Sequence, residues 1–438
     1  MRYLKTMVFA AGLLGLAASP ALAEDTSLTM IVTEGADAAA LRAVVDAYEA
    51  KHSDVHVNVQ AYPFSQFFQV ADLRLASKDS GIDLIYVDEP LVASYASRGF
   101  IEPFAAETDT SQLVDTVVEA GKYDGTLYAL PINNSAQVLF VNRHLFEEAG
   151  IEPPAGLAPG DTATQAEVDD LAANKRWTWE QVADAAQKLT VKDGNRTTRY
   201  GFSVEQYGEL YQLQPLGESL GLAVISEDGS TAEGYLDGEA WTEAATFWSN
   251  LYNDWGVSPR DLAFGQAPQM FVNEQLAMFV GGTWNISALI ASGIDYVVAP
   301  HPYFEGGKVV TPTGSWYVGI NAASGNKDVA ADFAKYLTVD PEGTKAWFDS
   351  LQQLPTYTPL LDEIKTSDTY ASFPANMFRL GVYESLNTAK VRPVTAAYGQ
   401  LQDAFRSSFI DIANGVAVKD ALADAVAKYD DAAKRVAQ

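Results

Sequence analysis

Near its N-terminal end, the chain alternates two patterns of hydrophobic and polar residues, which predict strands followed by amphipathic helices. Apolar residues alternate with polar ones over 27–33, and an apolar period of 3.6 residues follows over 37–51. The same pair of patterns recurs twice, with predicted strands over 55–61 and 83–87. Strands that alternate with helices favour an α/β fold in which helices cover both faces of a parallel sheet.

Polar or aromatic side chains stand at the ends of these three predicted strands. In chain order they are Glu34, then Tyr62 and Phe64, then Asp88 and Glu89. The carboxyl ends of parallel strands meet at one edge of a sheet, where open α/β folds hold their ligands. Each residue alone fits an ordinary loop. Three successive strand ends of this kind predict a ligand crevice at that edge.

A second feature of the crevice is predicted from the stretch around Trp284. A short apolar run over 276–280 ends in two glycines and predicts a buried strand. Thr283 or Asn285 is expected to cap the helix that follows. Trp284 lies between the strand and the helix, and its flat apolar face with one N–H donor suits a sugar ring. A tryptophan is also a common core residue, so both interpretations stand at this point.

The middle of the chain continues the same patterns with one interruption. Residues 129–132 and 136–142 are predicted to be extended, and a helix from Arg143 is expected to end at Gly150. The stretch 153–170 is rich in proline, alanine, glycine and aspartate. We interpret it as a surface insertion.

Residues 1–23 carry the features of an export signal. Charged residues precede an apolar segment over 7–18, which is too short to span a bilayer, and Ala21-Leu22-Ala23 fits a cleavage site. Cleavage after Ala23 would leave 438 − 23 = 415 residues. An uncleaved membrane helix is the alternative, but it needs a longer apolar run. We therefore expect an exported, soluble protein.

The composition narrows the compartment and the partners. The net charge of −28 would become −28 − 2 = −30 once Arg2 and Lys5 leave with the signal. Such a surface repels phosphate backbones and anionic lipid, so nucleic-acid and membrane-surface roles are not expected. The chain has no cysteine, which excludes disulfides, thiolate chemistry and a lipid-anchored cysteine. A Gram-negative periplasm fits best.

Signals for catalysis or metal binding are weak. His52 and His56 have the spacing of a helical metal pair, but Ser53-Asp54 interrupts the helix between them. Phosphate-binding and dinucleotide-binding glycine motifs are absent from the sequence. Asp88 and Glu89 are the best candidate carboxylates for glycoside cleavage, yet adjacent residues of an extended chain point in opposite directions. We expect no cofactor, no metal and no catalysis.

Six segments of the chain form an ordered set: 122–131, 137–142 with 145–150, 278–284, 314–316, 320–324 with 330–337, and 354–356. Taken in this order, they resemble the carbohydrate-type extracellular solute-binding proteins of ABC importers, the maltose-binding protein family. Each segment alone is a weak match, whereas the ordered set covers most of the chain. The resemblance implies a two-lobe α/β periplasmic-binding-protein fold of type II, with a hinge and a ligand cleft between the lobes.

The resemblance also implies how the chain divides. Lobe 1 is expected to comprise residues 24–132 and 300–353, and lobe 2 residues 133–299 and 354–438. The chain would then cross the hinge at each of these boundaries. The expected partners are a small sugar ligand and an inner-membrane ABC permease that recognises the closed, monomeric protein.

The ligand-binding residues that the resemblance implies come from both predicted lobes. Trp284 matches a stacking aromatic residue after a glycine turn, and Trp316 lies in a Gly-x-Trp element that often lines the cleft. An aromatic residue often found on the first strand is missing here. The full predicted set is Trp284, Trp316, Asp88, Asn134, Glu34, Gly35, Phe64, Gly282, Thr283, Tyr207 and Arg392.

The sequence leaves the class of ligand partly open. A mono- or oligosaccharide, or a polyol, would be held by aromatic stacking and by bidentate hydrogen bonds from carboxylates. Arg392 would also suit a phosphorylated, sulfonated or uronic sugar, although the acids at the predicted edge favour a neutral ligand. A periplasmic glycoside hydrolase or lyase is the alternative from another class. A chemosensory or adhesion module is compatible with the same fold.

Overall fold

The structure is a computed structural model that describes residues 25–436. The predicted signal peptide over 1–23 lies outside the described residues. Within the described range, every helix is too short or too polar to cross a membrane.

The strands of residues 25–436 form one large sheet and a separate small hairpin. Their bounds are Thr26–Thr33 (β1), Val55–Tyr62 (β2), Leu84–Asp88 (β3), Ile101–Glu102 (β4), Lys122–Tyr123 (β5), Thr126–Leu127 (β6), Ala129–Asn142 (β7), Val191–Asp193 (β8), Arg196–Val204 (β9), Leu276–Gly282 (β10), Tyr296–Pro300 (β11), Thr311–Asn321 (β12), Leu354–Pro355 (β13) and Ala389–Lys390 (β14).

The α-helices cover the sheet and form the C-terminal part of the chain. Their bounds are Ala36–Glu49 (α1), Phe64–Ala76 (α2), Leu91–Ser97 (α3), Asp115–Ala120 (α4), Arg143–Ala149 (α5), Gln165–Asn174 (α6), Trp179–Leu189 (α7), Leu210–Ser219 (α8), Glu239–Tyr252 (α9), Gln266–Val272 (α10), Ile286–Ser292 (α11), Lys327–Thr338 (α12), Pro341–Leu351 (α13), Thr358–Thr366 (α14), Met377–Asn387 (α15), Tyr398–Ala413 (α16) and Val418–Val436 (α17). Short 3₁₀ turns occupy Thr283–Asn285 and Asp368–Tyr370.

The large sheet is mixed rather than parallel throughout. Its main path runs β2-β1-β3-β12-β7-β10-β9-β8. The first three strands are parallel, as predicted, and β9 is parallel to β10. Strands β12 and β7 lie between these groups, and β12 pairs antiparallel with both β3 and β7. The prediction of a parallel sheet is therefore wrong at the centre of the sheet, where β12 runs antiparallel to β3 and β7.

Strand β7 is the longest strand, and all of its residues are buried. The sequence predicted two extended pieces, because the polar residues 133–135 interrupt its apolar run. These residues stay in the strand because β12 pairs with β7 on one side and β13 on the other. The cross-strand hydrogen bonds satisfy the backbone N–H and C=O groups of residues 133–135, which would otherwise be buried without partners.

The buried apolar side chains fall into three clusters. The first core joins residues of β1–β3 to α1, α12, α13 and α14. The second and third cores lie on opposite faces of the other half of the sheet, since Leu139 and Val141 enter one and Val138 and Phe140 the other.

The chain passes between these cores at places that differ from the predicted lobe boundaries. The first change lies between Ala136 and Val138, and the second follows Phe304. Residues 354–382 contribute largely to the first core, although we expected them in lobe 2. The physical reason is that α14 carries apolar residues toward β13 and the first core. The division into moving lobes stays a prediction.

The prediction that 153–170 is a surface insertion is wrong for several of its residues. Leu157 pairs with Val298 of β11 through an isolated bridge, and α6 buries Val168 and Leu171 in the third core. The few apolar side chains lie far apart among small residues, so no period was visible. Thr164 caps α6 with a capping box to Glu167.

A buried ion pair joins Arg176, just after α6, to Glu384 of α15. Arg176 Nη1 lies 2.9 Å from Glu384 Oε1 and donates to the His301 carbonyl at 2.6 Å. Thr311 Oγ1 donates to Glu384 Oε2 at 2.9 Å. Both charged side chains are almost completely buried. Removing one partner of such a pair leaves an uncompensated charge in a dry environment.

We predict that Glu384→Ala lowers the free energy of unfolding by about 3–5 kcal/mol. The matched control is Asp349→Ala, which removes an exposed ion pair with Lys345 and should change stability little. Urea unfolding of both variants measures the difference. Equal losses in the two variants would contradict the assigned importance of burial.

Candidate functional site

A cavity of about 390 Å³ opens where the strand ends of the first core face the helices of the second and third cores. Its walls include the ends of β1 and β3, the middle of β7 and β12, and the turn after β10. The predicted site residues that line it are Glu34, Phe64, Asp88, Trp284, Trp316 and Arg392.

The other predicted residues do not line the cavity. Asn134 is buried, and its Oδ1 accepts from the Ser135 N–H at 2.9 Å and from the Thr313 hydroxyl. Tyr207 packs in the second core against the rings of Trp248 and Tyr252. Both residues therefore have structural surroundings, and a direct contact with ligand remains untested.

Three further predicted residues shape the walls rather than line them. Gly35 precedes α1 with a φ of 89°, a conformation that favours glycine. Thr283 is buried in the 3₁₀ turn. A Cβ on Gly282 would lie 1.9 Å from the ring of Trp284, so only glycine leaves room for that ring.

The predicted cap of α11 is wrong, because Asn285 caps no backbone N–H with its side chain.

Trp284 is a half-buried residue of the cavity wall rather than a core residue. Its Nε1 donates to Glu205 Oε1 at 3.0 Å. Tyr211 lies nearly parallel to it, with ring centroids 6.2 Å apart. The indole is thus fixed at its polar edge and supported beside the cavity. Such a ring offers an apolar surface beside the polar groups of the cavity.

Trp316 is held mainly by other aromatic rings. Tyr86 stacks on it with centroids 4.2 Å apart and an interplanar angle of 5°. Phe68 lies nearly parallel at 6.1 Å, and the Phe67 ring meets it edge-on. Much of the Trp316 surface is therefore used in protein contacts.

Arg392 is paired with a carboxylate inside the cavity. Its Nη1 donates to Asp88 Oδ2 at 3.0 Å, and its Nη2 donates to the other oxygen of the same carboxylate. The Arg392 backbone N–H donates to Glu89 Oε1 at 3.1 Å, and the guanidinium lies 5.0 Å from the Tyr211 ring centre. The positive charge is therefore neutralised by a bidentate partner before any ligand arrives.

Polar residues that the sequence reasoning missed complete the lining. They are Thr33, Asp37, Asn133, Ser135, Gln206, Tyr211, Ser287, Gln352 and Gln353. Burial raises the pKa of Asp37, while hydrogen bonds from Thr33 and Tyr86 oppose that rise. Ser135 Oγ bonds to Tyr211 OH at 2.9 Å and donates to the Gly314 carbonyl at 2.8 Å. The cavity thus presents carboxylate, amide and hydroxyl groups.

Two exposed phenylalanines meet at the rim of the cavity. Phe64 at the start of α2 and Phe264 before α10 have ring centroids 5.5 Å apart and stack at 21°. They are 46% and 54% exposed. Sequence reasoning found Phe64 at a strand end but missed Phe264, because a loop without periodicity carries it.

The described residues 25–436 contain no cluster of three or more metal-ligating side chains. Histidine does not line the cavity. His301 is buried, and desolvation lowers its pKa to about 3. The lining offers hydrogen-bonding groups and aromatic rings.

Comparison with known proteins identifies the class. Residues 33–343 match the family model of bacterial extracellular solute-binding proteins. The chain belongs to this family, whose members are binding proteins located outside the cytoplasm.

Particular relatives and structures agree with that assignment. The galactooligosaccharide-binding protein of Bacillus subtilis is 22% identical over 334 residues, which cover 74% of this chain and 71% of the relative. An ABC substrate-binding protein from Listeria monocytogenes, solved with cycloalternan, matches with a TM-score of 0.78 and 23% identity, covering 94% of this chain and 99% of that one. A solute-binding protein from Thermotoga lettingae, solved with α-D-tagatose, has a TM-score of 0.76 and 22% identity over 93% of this chain and 100% of that one. The fold is therefore the two-lobe α/β fold that the sequence predicted.

The segment that carries Arg392 is held by α8. Gln214 Nε2 donates to the Val391 carbonyl at 2.9 Å and to Glu218 Oε1 at 3.0 Å. Burial raises the pKa of Glu218 to about 7, and Lys390 and Gln214 oppose this rise. The folded protein therefore holds a proton that the unfolded chain releases above its ordinary pKa of 4.5.

We predict that this proton makes the folded state lose stability as the pH rises from about 4.5 to about 7. Glu218→Gln keeps an oxygen acceptor for Gln214 and cannot titrate. Between pH 5 and pH 8, the free energy of unfolding of the wild type should fall relative to the variant by about 1–3 kcal/mol. Urea unfolding at both pH values measures it, and a constant difference would contradict the assigned titration.

Proposed function

We propose that this protein is the substrate-binding component of an ABC sugar importer. It captures a neutral mono- or oligosaccharide, or a polyol, between two closing lobes and delivers it to an inner-membrane permease. The observation that carries the proposal is the pairing of the Trp284 ring with carboxylate, amide and hydroxyl groups in one cavity. A sugar has an apolar face and a rim of hydroxyls, and this lining complements both.

The names of the relatives support the sugar class. The Bacillus relative is named for galactooligosaccharides, and the two solved structures were named with cycloalternan and tagatose. All three are uncharged carbohydrates. The ligand of the present chain is accordingly sought first among neutral sugars of one to a few rings, for which a cavity of about 390 Å³ has room.

The charge of the cavity supports a neutral ligand over an anionic one. Arg392 would be the natural partner for a phosphate, sulfonate or uronate, but Asp88 already occupies its guanidinium. Glu34 and Asp37 add further acidic groups to the lining. An anionic sugar would have to displace Asp88 and approach these acids, which disfavours it.

The protein is proposed to act without chemistry. Asp88 and Glu89, the best catalytic carboxylates from sequence, both contact Arg392, so neither is placed as a proton donor. Residues 217–221 match a Gly-x-Ser-x-Gly pattern, but Ser219 ends α8 and donates to the Lys308 carbonyl. A nucleophilic serine would instead precede a helix. Release of product from an oligosaccharide would favour the hydrolase alternative.

The location and assembly follow from the same proposal. The export signal over 1–23 would direct the chain across one membrane, and cleavage would release it into a Gram-negative periplasm. The protein would work as a monomer whose closed form the permease recognises. Service to a chemosensory receptor is compatible with this role.

We predict that Trp284→Ala weakens binding of the cognate sugar by about 1–3 kcal/mol with little loss of stability. The loss arises because the variant removes the stacking surface of the cavity. Calorimetric titration measures the affinity, and thermal unfolding measures the stability.

Trp255→Ala is the matched control. Trp255 is partly buried and packs on Phe247 away from the cavity, so its loss should leave affinity unchanged. If Trp284→Ala unfolds the protein while residual affinity stays normal, Trp284 is a core residue and the site is misassigned.

A second prediction concerns the charge of the ligand. Asp88→Asn leaves the Arg392 guanidinium without its carboxylate and should raise the affinity for glucuronate or glucose 1-phosphate by about tenfold or more. Neutral sugars should bind the variant less tightly than they bind the wild type. Titration with glucose, glucuronate and glucose 1-phosphate tests this. Tight anion binding by the wild type itself would refute the neutral ligand.

A further inference from the structure

The carboxylate of Glu205 lies beneath the turn that carries Trp284. Glu205 follows β9 and is 1% exposed. Its Oε1 accepts from Trp284 Nε1 at 3.0 Å. Its Oε2 accepts from Asn285 Nδ2 at 2.8 Å and from the Gly282 N–H at 3.3 Å. One carboxylate therefore accepts hydrogen bonds from three donors of a single turn.

The Glu205 carboxylate is surrounded by N–H donors of the turn. Among residues 25–436, no lysine, arginine or histidine forms an ion pair with it. A buried carboxylate without a cation is costly unless N–H groups surround it. Burial raises the pKa of Glu205 to about 7, and the three hydrogen bonds oppose that rise. The ionised carboxylate accepts all three bonds, whereas a glutamine that keeps its one oxygen on Asn285 and Gly282 sets its NH₂ against the Trp284 Nε1–H. The three donors thus specify an acid at position 205.

The two glycines of the turn make this arrangement possible. A Cβ on Gly281 would lie 2.8 Å from Glu205 Oε2, and a Cβ on Gly282 would lie 1.9 Å from the Trp284 ring. The backbone therefore approaches both the carboxylate and the indole as closely as glycine allows. The Gly-Gly-Thr-Trp sequence and Glu205 form one unit, although 77 residues separate Glu205 from Gly282.

We propose that Glu205 is a positioning residue that fixes the indole of Trp284 in the cavity wall and sets ligand affinity through it. The effect of Glu205 on ligand affinity rests on the proposed function. Its effect on the indole itself is independent of any ligand. Glu205 does not line the cavity, so it acts only through the residues of the turn.

The ligand-free test is near-ultraviolet circular dichroism, which reports aromatic side chains held in one asymmetric orientation. The difference between wild type and Trp284→Ala defines the band of the fixed indole. Glu205→Gln should lose most of that band while the far-ultraviolet spectrum stays unchanged. The control is Glu209→Gln, a partly buried acid that contacts Gln402 and Arg406 instead, and it should keep the band. Retention of the band in Glu205→Gln overturns the proposal.

Should Glu205→Gln fail to fold, Glu205→Asp replaces it. Aspartate keeps the charge but is shorter by one methylene group, so it should lose the bond to Trp284 Nε1 and the same band. An unchanged band in a folded Glu205→Asp variant overturns the proposal equally.

The ligand test is a double-mutant cycle with a panel of galactose, maltose, maltotriose and mannitol. Glu205→Gln should weaken binding of the best ligand about tenfold or more in the wild type, but less than about twofold in Trp284→Ala. Equal weakening in both backgrounds would show that Glu205 acts by another route. If the wild type binds none of the panel, the choice of sugar fails, while the dichroism result still decides whether Glu205 fixes the indole.

Discussion

The antiparallel pairing of β7 with β12 is the interaction on which the rest of the molecule depends. Both strands run through the centre of the sheet, and each passes from the first core toward the others. Where they pass, β7 carries asparagines and a serine instead of apolar residues. Buried polar side chains need hydrogen-bond partners, and Asn134 has them in Ser135 and Thr313. The cavity lies over this stretch, and Asn133, Ser135, Gly314 and Trp316 contribute to the lining.

Two acids, the partly buried Asp88 and the buried Glu205, then organise the walls of the cavity in different ways. Asp88 binds Arg392 with both oxygens and removes a positive charge from the site. Glu205 binds no cation and instead gathers N–H donors around the turn of Trp284. Asp88 thus sets the charge at Arg392 in the cavity. Glu205 positions the Trp284 ring on which a sugar would stack. Both effects are strong because the groups are shielded from water.

Sequence patterns predicted several residues of the cavity lining, while their contact with ligand stays a prediction. Glu34, Phe64 and Asp88 follow successive strands, and Trp284 follows a buried strand and two glycines; all four line the cavity. Asn134 shows what the sequence patterns could not predict. Neighbouring side chains on a strand point to opposite sides, and only the pairing register decides that Asn133 and Ser135 face the cavity.

Other site residues depend on contacts between distant parts of the chain. Tyr207 was predicted from its place after a strand, but the structure turns it into the second core and brings Gln206 and Tyr211 to the cavity. Phe264 comes from a loop without periodicity. Glu205 looks like an ordinary residue after a strand until the turn of Trp284 is placed above it. Tertiary packing, rather than local propensity, selects these residues.

A thermal-shift screen of the protein would show whether the cavity binds a neutral sugar. A ligand that binds only the folded state raises the melting temperature according to RT ln(1 + [L]/Kd), so ligands rank by affinity. The panel should pair neutral mono- and oligosaccharides and polyols with their phosphorylated, sulfonated and uronic counterparts. We expect a clear rise of the melting temperature with at least one neutral compound and none with its anionic counterpart. Shifts confined to the anionic compounds would contradict this expectation.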